Sequence, residues 1–194
     1  VLLIGAGWGT LGFINNIDSL KYDIKVISKN NNFLYTPQLA NYGVNNNVIN
    51  IEKDLSKTND IDFFKEEVID VNFDKKKIIT NVGKHNYDYV IFAHGSVINT
   101  FNVEGVNDYC AFLKTKKDSD ELYHKINKLN ENSKIAVIGC GLVGTELIAN
   151  LIDKKKFSII AIDGLNGPIQ MFSEKNINKK INLWKNKNVE MIFN

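Results

Sequence analysis

The chain has 194 residues, of which 44% are hydrophobic and 24% are charged, a composition that excludes a disordered or a fibrous protein. Its 24 basic and 22 acidic residues are spread along the chain and leave a formal net charge of +2, so we expect no binding of nucleic acid. The chain contains no arginine, so backbone amides must carry more of any phosphate binding.

A strand, a glycine-rich turn and a helix follow one another at the start of the chain. Val1–Ile4 is a continuous apolar run, Gly5-Ala6-Gly7-Trp8-Gly9 follows it at once, and apolar residues then recur at helical spacing. A second strand is predicted at Ile24–Ile27. Together these segments predict a βαβ unit, which belongs in a parallel sheet covered by helices.

The next segment has the chemistry of a loop and leads into a β-meander. We predict a loop at Phe33–Asn50, and then strands with period-two alternation at Val68–Phe73, Lys77–Val82 and Tyr87–Phe92. Tyr89–Ala93 is apolar enough to be predicted as the central strand of the sheet.

The second half of the chain repeats the βαβ pattern. An amphipathic helix is predicted within Lys114–Ser133, followed by a strand at Lys134–Ile138. A glycine turn at Gly139–Gly144, a helix at Leu147–Leu151 and a strand at Ser158–Ile162 complete the unit. The predicted fold class is therefore α/β, with two Rossmann-like dinucleotide-binding units and a small β-meander in the first. We predict a domain boundary near Lys114 and expect both domains to be incomplete.

The second glycine turn has every feature of a dinucleotide-binding motif. In such a motif the first glycine permits the turn, the second lets the backbone approach the pyrophosphate, and the third lets helix and strand pack closely. Gly139, Gly141 and Gly144 occupy these positions, and Asp163 follows 19 residues later, where an acid holds the ribose hydroxyls. This acid, in a chain without arginine, favours NADH over NADPH. The alternative is a turn that only connects strand to helix.

The first glycine turn is less regular. Gly5 and Gly7 are in place, but Thr10 holds the third position, and the following strand ends at Ser28 with no acid. A strand before the turn and a helix after it still favour a dinucleotide site over a simple structural turn.

Several short strings carry a family resemblance, which covers nearly the whole chain in order. They are Gly5-Ala6-Gly7-Trp8-Gly9, Phe33-Leu34-Tyr35-Thr36-Pro37, Tyr87 to Gly95, Asn99-Thr100-Phe101, Phe112-Leu113-Lys114, the second glycine motif with Thr145-Glu146, and Met171-Phe172. With these strings the chain resembles the type II NADH:quinone oxidoreductases.

The resemblance implies a flavoenzyme that takes a hydride from NADH onto FAD and passes two electrons to a quinone without pumping protons. Residues 1–113 would then be the FAD-binding domain and residues 114–194 the NADH-binding domain. It further implies a quinone site outside this segment, peripheral contact with the mitochondrial inner membrane through a later region, and a homodimer.

The resemblance also assigns roles to individual residues. For FAD it implies Gly5, Gly7 and Gly9 at the pyrophosphate, Trp8 and Ser28 as further contacts, Thr36 and Pro37 beside the flavin ring, and Ala93 and Gly95 against the cofactor. For NADH it implies Gly139, Gly141, Leu142 and Gly144 at the pyrophosphate and Asp163 at the adenosine ribose. Glu146 would position the nicotinamide and the flavin; the alternatives are an ordinary packed aromatic for Trp8 and a first-turn helix carboxylate for Glu146.

Some residues depart from the family pattern and keep other functions open. The family usually has Pro-Arg where this chain has Lys29-Asn30. A different FAD and NAD(P)H reductase, similar to ferredoxin reductases, is one alternative, and a degenerate nucleotide-binding module without turnover is the other. A disulfide reductase is disfavoured because Cys110 and Cys140 form no redox pair in sequence.

Overall fold

The computed structural model of the protein describes residues 1–46, 50–154 and 156–194. In these residues the strands are β1 Leu2–Ile4, β2 Lys25–Ser28, β3 Asn32–Leu34, β4 Glu52–Asp54, β5 Asp62–Lys65, β6 Val68–Asn72, β7 Lys77–Thr80, β8 Lys84–Asn86, β9 Val90–Phe92, β10 Lys134–Ile138, β11 Ser158–Asp163 and β12 Glu190–Phe193. The α-helices are α1 Trp8–Ile14, α2 Leu39–Asn45, α3 Val106–Tyr109, α4 Lys116–Asn127, α5 Leu142–Lys154 and α6 Glu174–Asn186.

The described chain divides into two compact units. Unit 1 comprises Val1–Tyr35 and Glu52–Phe101, and unit 2 comprises Thr36–Ile51 and Asn102–Asn194. Each unit contains a parallel sheet, so the predicted α/β fold is confirmed. The boundary near Lys114 between two binding domains stays a prediction.

The sheet of unit 1 is parallel and is covered on both faces. Its strand order is β5-β2-β1-β9, with β1 in register with both β2 and β9. Because side chains alternate along a strand, Leu2 and Ile4 point to one face and pack with Ile78 of the meander. Leu3 points to the other face and packs in a cluster with Phe13 of α1. Two apolar layers thus hold β1 and its following turn in place.

The prediction that Tyr89–Ala93 forms the central strand of the sheet is wrong. In the described residues β9 lies at the edge of the sheet and β1 lies inside it, and the side chain of Phe92 is 44% exposed. An apolar sequence indicates that a strand can be buried. The order of strands in the sheet depends instead on which segments, distant in sequence, pair with one another.

The meander differs from its prediction in one strand. β6, β7 and β8 form an antiparallel sheet, and β8 lies between two predicted strands, where no strand was predicted. Its sequence, Lys84-His85-Asn86, is too polar and too short to show a strand pattern.

The predicted loop at Phe33–Asn50 is also wrong, because it contains β3 and α2. β3 pairs antiparallel with β4. The helix α2 buries Leu39, Ala40, Gly43 and Val44, and these residues lie on one face at helical spacing. Asn41 and Tyr42 interrupt the buried residues, and the helix is only seven residues long, so the pattern is hard to recognise in the sequence.

Unit 2 is built on a three-stranded parallel sheet in the order β10-β11-β12. The predicted helix before it is α4, which begins with a capping box: the Thr115 hydroxyl accepts from the Asp118 N–H at 3.1 Å, and the Asp118 carboxylate accepts from the Thr115 N–H at 2.7 Å. The helix α6, which buries Trp184, has no counterpart among the predicted elements. Across the part of the chain that the structure describes, each helix falls short of the length and apolar content of a membrane span.

Candidate functional site: two glycine loops

The loop between β10 and α5 needs glycine at its first and third motif positions for local reasons. Gly139 adopts a φ of +89°, which side chains other than glycine rarely tolerate. A Cβ added at Gly144 would lie 1.8 Å from the carbonyl oxygen of Gly139, so no larger residue fits without a backbone shift. The loop is anchored to the sheet because the Gly139 N–H donates to the carbonyl of Ile162 at 2.8 Å.

Gly141 has no such local reason. A Cβ added there would meet no atom within 4 Å, and its φ lies outside the left-handed range. The helix α5 begins directly after it, with the Thr145 N–H donating to the Gly141 carbonyl at 2.9 Å and the Leu142 side chain 52% exposed. An open helix start with a glycine that the fold itself does not need is the arrangement that a pyrophosphate requires.

Asp163 lies at this loop, at the carboxyl end of β11. Its carboxylate accepts a hydrogen bond from the N–H of Cys140 at 2.6 Å and another from the N–H of Leu165 at 2.9 Å. A carboxylate has about four lone-pair sites, so these bonds orient Asp163 and leave capacity for ribose hydroxyls. The structure therefore brings Asp163 together with Gly139, Gly141 and Gly144.

Cys140 is buried in this loop and is chemically quiet. Burial, and then the nearby Asp163 carboxylate, raise the pKa of the thiol to about 12. A thiol with this pKa stays protonated near neutral pH and does not act as a nucleophile. Cys110 is likewise a free thiol, so the two cysteines do not form a disulfide.

Among the described residues, no cluster of His, Cys, Asp and Glu side chains could hold a metal ion.

The loop between β1 and α1 lies close against the end of β9. Gly5 has a φ of +106°, and an added Cβ would lie 2.5 Å from the carbonyl oxygen of Ala93. At Gly9 an added Cβ would lie 3.1 Å from the Cβ of Ala93, so packing gives one reason for glycine there. Ala93 is itself fixed to the sheet by its N–H, which donates to the Ile4 carbonyl at 2.8 Å. Gly95 follows with a φ of +77° and open space around it.

Gly7 corresponds to Gly141 of the other loop. Its φ is −93°, which any residue adopts, and an added Cβ would make only an ordinary contact of 3.4 Å with the Ala93 carbonyl oxygen. Thr10 at the third position is fully buried, and its hydroxyl donates to the Gly5 carbonyl at 2.6 Å. The first loop thus keeps the open second position and replaces the third glycine by a hydrogen-bonded threonine.

The ring of Trp8 is packed on one side and exposed to solvent on the other, so its contact with FAD stays a prediction. Its ring contacts Phe33 edge to face, with centroids 4.9 Å apart, and Tyr35 at 5.4 Å. The side chain nevertheless remains 49% exposed at the first turn of α1. Trp8 is therefore both packed and accessible from solvent.

The other predicted FAD contacts lie on separate elements. Ser28 ends β2, where its hydroxyl accepts from the Asn30 N–H at 3.4 Å. Lys29 and Asn30 are the residues that differ from the family's Pro-Arg. Lys29 forms an ion pair with Glu67 at 2.6 Å. Thr36 and Pro37 lie in an exposed 3-10 turn, Thr36–Gln38, that leads directly into α2.

Glu146 does not lie in the first turn of its helix. The helix α5 begins at Leu142, five residues before the predicted start at Leu147, so Glu146 is an exposed residue of the second turn. The helix-dipole explanation for this carboxylate is therefore wrong, since that effect is confined to the first turn. The longer helix follows from the Gly141 carbonyl, which already accepts the first intrahelical bond.

Two further contacts at the second loop were not predicted from the sequence. The N–H of Ile169 donates to the Cys140 carbonyl at 2.8 Å, and Ile169 adopts a φ of +46°, which is unusual for a β-branched residue. The hydroxyl of Thr145 donates to the same carbonyl at 3.1 Å. One signal in the sequence could have indicated the Thr145 bond. A threonine follows each glycine turn, and both Thr10 and Thr145 donate to the carbonyl five residues earlier.

A cavity of about 540 Å³ lies elsewhere in unit 1, at the amino ends of β1 and β2, with Tyr22 and Tyr87 in its lining. Ligands of open parallel sheets bind beyond the carboxyl ends of the strands, where the glycine loops lie. This cavity is therefore not the candidate site.

The chain is similar to known redox enzymes. The family model described as pyridine nucleotide-disulphide oxidoreductase matches residues 1–194. A probable NADH dehydrogenase of Dictyostelium discoideum is 30% identical over 178 residues, which cover 79% of this chain and 40% of that protein. The external alternative NAD(P)H-ubiquinone oxidoreductase B1, mitochondrial, of Solanum tuberosum is 28% identical, over 79% of this chain and 32% of that protein.

A solved structure gives the same result. NDH2 from Plasmodium falciparum in complex with NADH superposes with a TM-score of 0.86 and 26% identity, covering all of this chain and 47% of that one. The resemblance to type II NADH:quinone oxidoreductases is thereby confirmed. The chain spans less than half the length of each of these relatives.

Proposed function

Because the chain belongs to the pyridine nucleotide-disulphide oxidoreductase family, we propose that it is the dinucleotide-binding part of an FAD-dependent NADH:quinone oxidoreductase that does not pump protons. One observation carries this proposal. Gly7 and Gly141 each hold the second motif position, where neither packing nor a left-handed φ calls for glycine. Close approach of a bound pyrophosphate supplies the missing reason.

The first loop fits FAD in this proposal. Gly5, Gly7 and Gly9 let the backbone come close to the pyrophosphate, and N–H groups at the start of α1 face its charge. Trp8, Ser28, Ala93 and Gly95 are further proposed contacts, and Thr36 and Pro37 border the flavin ring. Since the chain has no arginine, these contacts depend on backbone amides.

The second loop fits NADH. Gly139, Gly141, Leu142 and Gly144 hold its pyrophosphate at the start of α5, and Asp163 accepts hydrogen bonds from the ribose hydroxyls. The same carboxylate repels the additional phosphate of NADPH. In domain terms, we propose that residues 1–113 bind FAD and residues 114–194 bind NADH.

The protein itself contributes alignment and electrostatics. Bound FAD would supply the redox chemistry, as the group that takes a hydride from NADH and passes two electrons to a quinone. Glu146 is proposed to position the nicotinamide, because its exposed carboxylate follows the open start of α5 by one turn. This role requires no proton transfer from Glu146.

The names of the relatives support a quinone as the partner, because two of them are called ubiquinone oxidoreductases. We further propose that the quinone site lies outside these residues and that a later region of the protein makes peripheral contact with the membrane. Relatives from Solanum tuberosum and Saccharomyces cerevisiae carry the word mitochondrial in their names. We propose the mitochondrial inner membrane as the location and a homodimer as the assembly.

The test uses the natural full-length protein, purified without added cofactor. We expect it to contain bound flavin, to lose its flavin absorbance when NADH is added without oxygen, and to regain it when a soluble quinone follows. NADH is expected to reduce the flavin at a lower concentration than NADPH does.

The other outcomes correspond to the alternative functions. A protein without flavin, or with flavin that neither NADH nor NADPH reduces, would match the binding module without turnover. Flavin that NADH reduces but that only ferredoxin reoxidises would identify a ferredoxin-type reductase. Thr10 at the third motif position does not by itself favour the binding module, because its hydroxyl donates to the Gly5 carbonyl and the turn is kept.

A further inference from the structure

A line of four amide side chains connects two helices of unit 2. On α2 and the turn before it, the Asn41 amide donates to the Gln38 side-chain oxygen at 3.1 Å, and the Asn45 amide donates to the Asn41 side-chain oxygen at 2.8 Å. Gln38, Asn41 and Asn45 lie on one helix face, because they are three and four residues apart.

The line crosses to α5 at Asn45. The second N–H of its amide donates to the side-chain oxygen of Asn150 at 3.2 Å, and the Asn150 amide donates to the backbone carbonyl of Glu146 at 2.8 Å. Asn41 and Asn150 each accept one bond and donate another, and Asn45 donates two, which neither a carboxylate nor an aliphatic side chain can do.

The amide line adds direction to an apolar contact. α2 and α5 share one apolar core, in which Val44 clusters with Ile148 and Leu151. Apolar contacts are non-directional and allow packed helices several alignments of similar energy. Hydrogen bonds between partly buried amides demand a distance and an angle, so they select one alignment of α2 along α5.

Both ends of the line reach residues of the proposed reaction. Gln38 closes the turn Thr36–Gln38, which contains the two residues proposed to border the flavin, and the other end holds the backbone of Glu146. We propose that Asn45 and Asn150 are positioning residues, which set the alignment of this turn relative to Glu146 and thereby the geometry of hydride transfer. This inference rests on the proposed function. A displacement of about 1 Å at a reacting centre slows a reaction by about 100-fold, so a small shift of α2 has a measurable effect.

The test compares three single variants and one double variant of the full-length protein. Asn45→Ala and Asn150→Ala interrupt the line, and Asn127→Ala is the matched control, because the Asn127 amide makes the same bond to the carbonyl four residues earlier, at 3.0 Å, on α4. We expect each interrupting variant to slow flavin reduction by NADH about tenfold or more, while the dissociation constant of NADH stays unchanged. The double variant is expected to be no slower than either single one, because both interrupt the same line.

A second measurement does not depend on turnover. Visible circular dichroism of the bound flavin and backbone hydrogen exchange of α2 and α5 are expected to change in both interrupting variants and to stay constant in Asn127→Ala. Unchanged rates and spectra in Asn45→Ala and Asn150→Ala, or equal changes in Asn127→Ala, would overturn the inference. If NADH fails to reduce the unaltered protein, the proposed function fails and the role in hydride transfer with it, and hydrogen exchange alone then decides whether the line aligns the helices.

Discussion

The hydroxyl of Thr10 donates a hydrogen bond of 2.6 Å to the carbonyl oxygen of Gly5, across the turn that starts the chain. In the other glycine loop the equivalent carbonyl belongs to Gly139, and a Cβ at Gly144 would lie 1.8 Å from it. The same motif position is therefore filled in two ways, by a glycine where the backbone closes tightly and by a hydrogen-bonding side chain where it leaves room.

We expect Thr10→Val to destabilise the protein by about 1–3 kcal/mol, because the buried Gly5 carbonyl loses the Thr10 donor while the volume stays the same. Thr145→Val is the matched control. It removes a similar bond to the Cys140 carbonyl, but that oxygen keeps the N–H of Ile169, so a smaller loss is expected. Urea denaturation measures both, and an equal loss in the two variants would contradict this account.

Gly141→Ala and Gly144→Ala separate binding from folding. Gly141→Ala has open space for its methyl group, so we expect it to fold with a stability unchanged or raised by up to about 1 kcal/mol. It should bind NADH about tenfold or more weakly, which corresponds to about 1.4 kcal/mol, because the methyl group takes up space meant for the pyrophosphate.

Gly144→Ala meets the Gly139 carbonyl and is expected to lose about 1–3 kcal/mol of folding stability through the forced backbone shift. Equilibrium titration with NADH and thermal unfolding are measured on both variants. Undiminished NADH binding in Gly141→Ala would remove the main support for a nucleotide at this loop.

Asp163→Asn is expected to narrow the preference for NADH over NADPH. The amide still accepts a hydrogen bond, but it neither attracts the ribose hydroxyls as a charge does nor repels a phosphate. We expect NADH binding to weaken about tenfold and NADPH binding to stay constant or improve. Asp153→Asn on the exposed face of α5 removes the same charge and should leave both affinities unchanged. Titration with each nucleotide gives the ratio, and an unaltered ratio would place Asp163 outside the ribose site.

The contacts of Glu66, next to the meander, predict that the free energy of unfolding depends on pH. Its carboxylate accepts from the Thr80 hydroxyl at 2.6 Å and contacts the His85 ring nitrogen at 2.7 Å. These two contacts hold the pKa of Glu66 below its ordinary value of 4.5, with the Thr80 bond as the larger cause. A lowered pKa in the folded state means that the stabilisation is present above pH 4.5 and is lost as the pH falls through the lowered pKa.

We therefore expect Glu66→Gln to be less stable than the unaltered protein by about 1–3 kcal/mol at neutral pH and equally stable in acid. Glu67→Gln is the control: its partner is Lys29, both side chains are more than half exposed, and such a pair contributes up to about 1 kcal/mol. Urea denaturation across the pH range tests this, and a difference that persists in acid would contradict it.

The two glycine loops could be predicted because their requirements are local. In the second loop, a turn with φ near +90°, a close approach of Gly144 to a carbonyl five residues earlier, and an acid at the end of the next strand all lie within one βαβ unit. The backbone roles of Gly139 and Gly144 can therefore be predicted from the sequence, and the ribose contact of Asp163 stays a prediction. The family resemblance extended this reading over the whole chain and was confirmed by the match over residues 1–194.

Other features were decided by segments far apart in the chain. The sequence by itself determined the α/β class, the two loops and the strands and helices of the two βαβ units, because these depend on periodicity and backbone preference over a few residues. Only the tertiary structure decided that β9 lies at a sheet edge, that α2 is a helix, and that Asn45 meets Asn150, which is 105 residues away. Strand order, burial of a polar helix and amide pairing depend on which distant segment supplies the partner, and no local pattern records that choice.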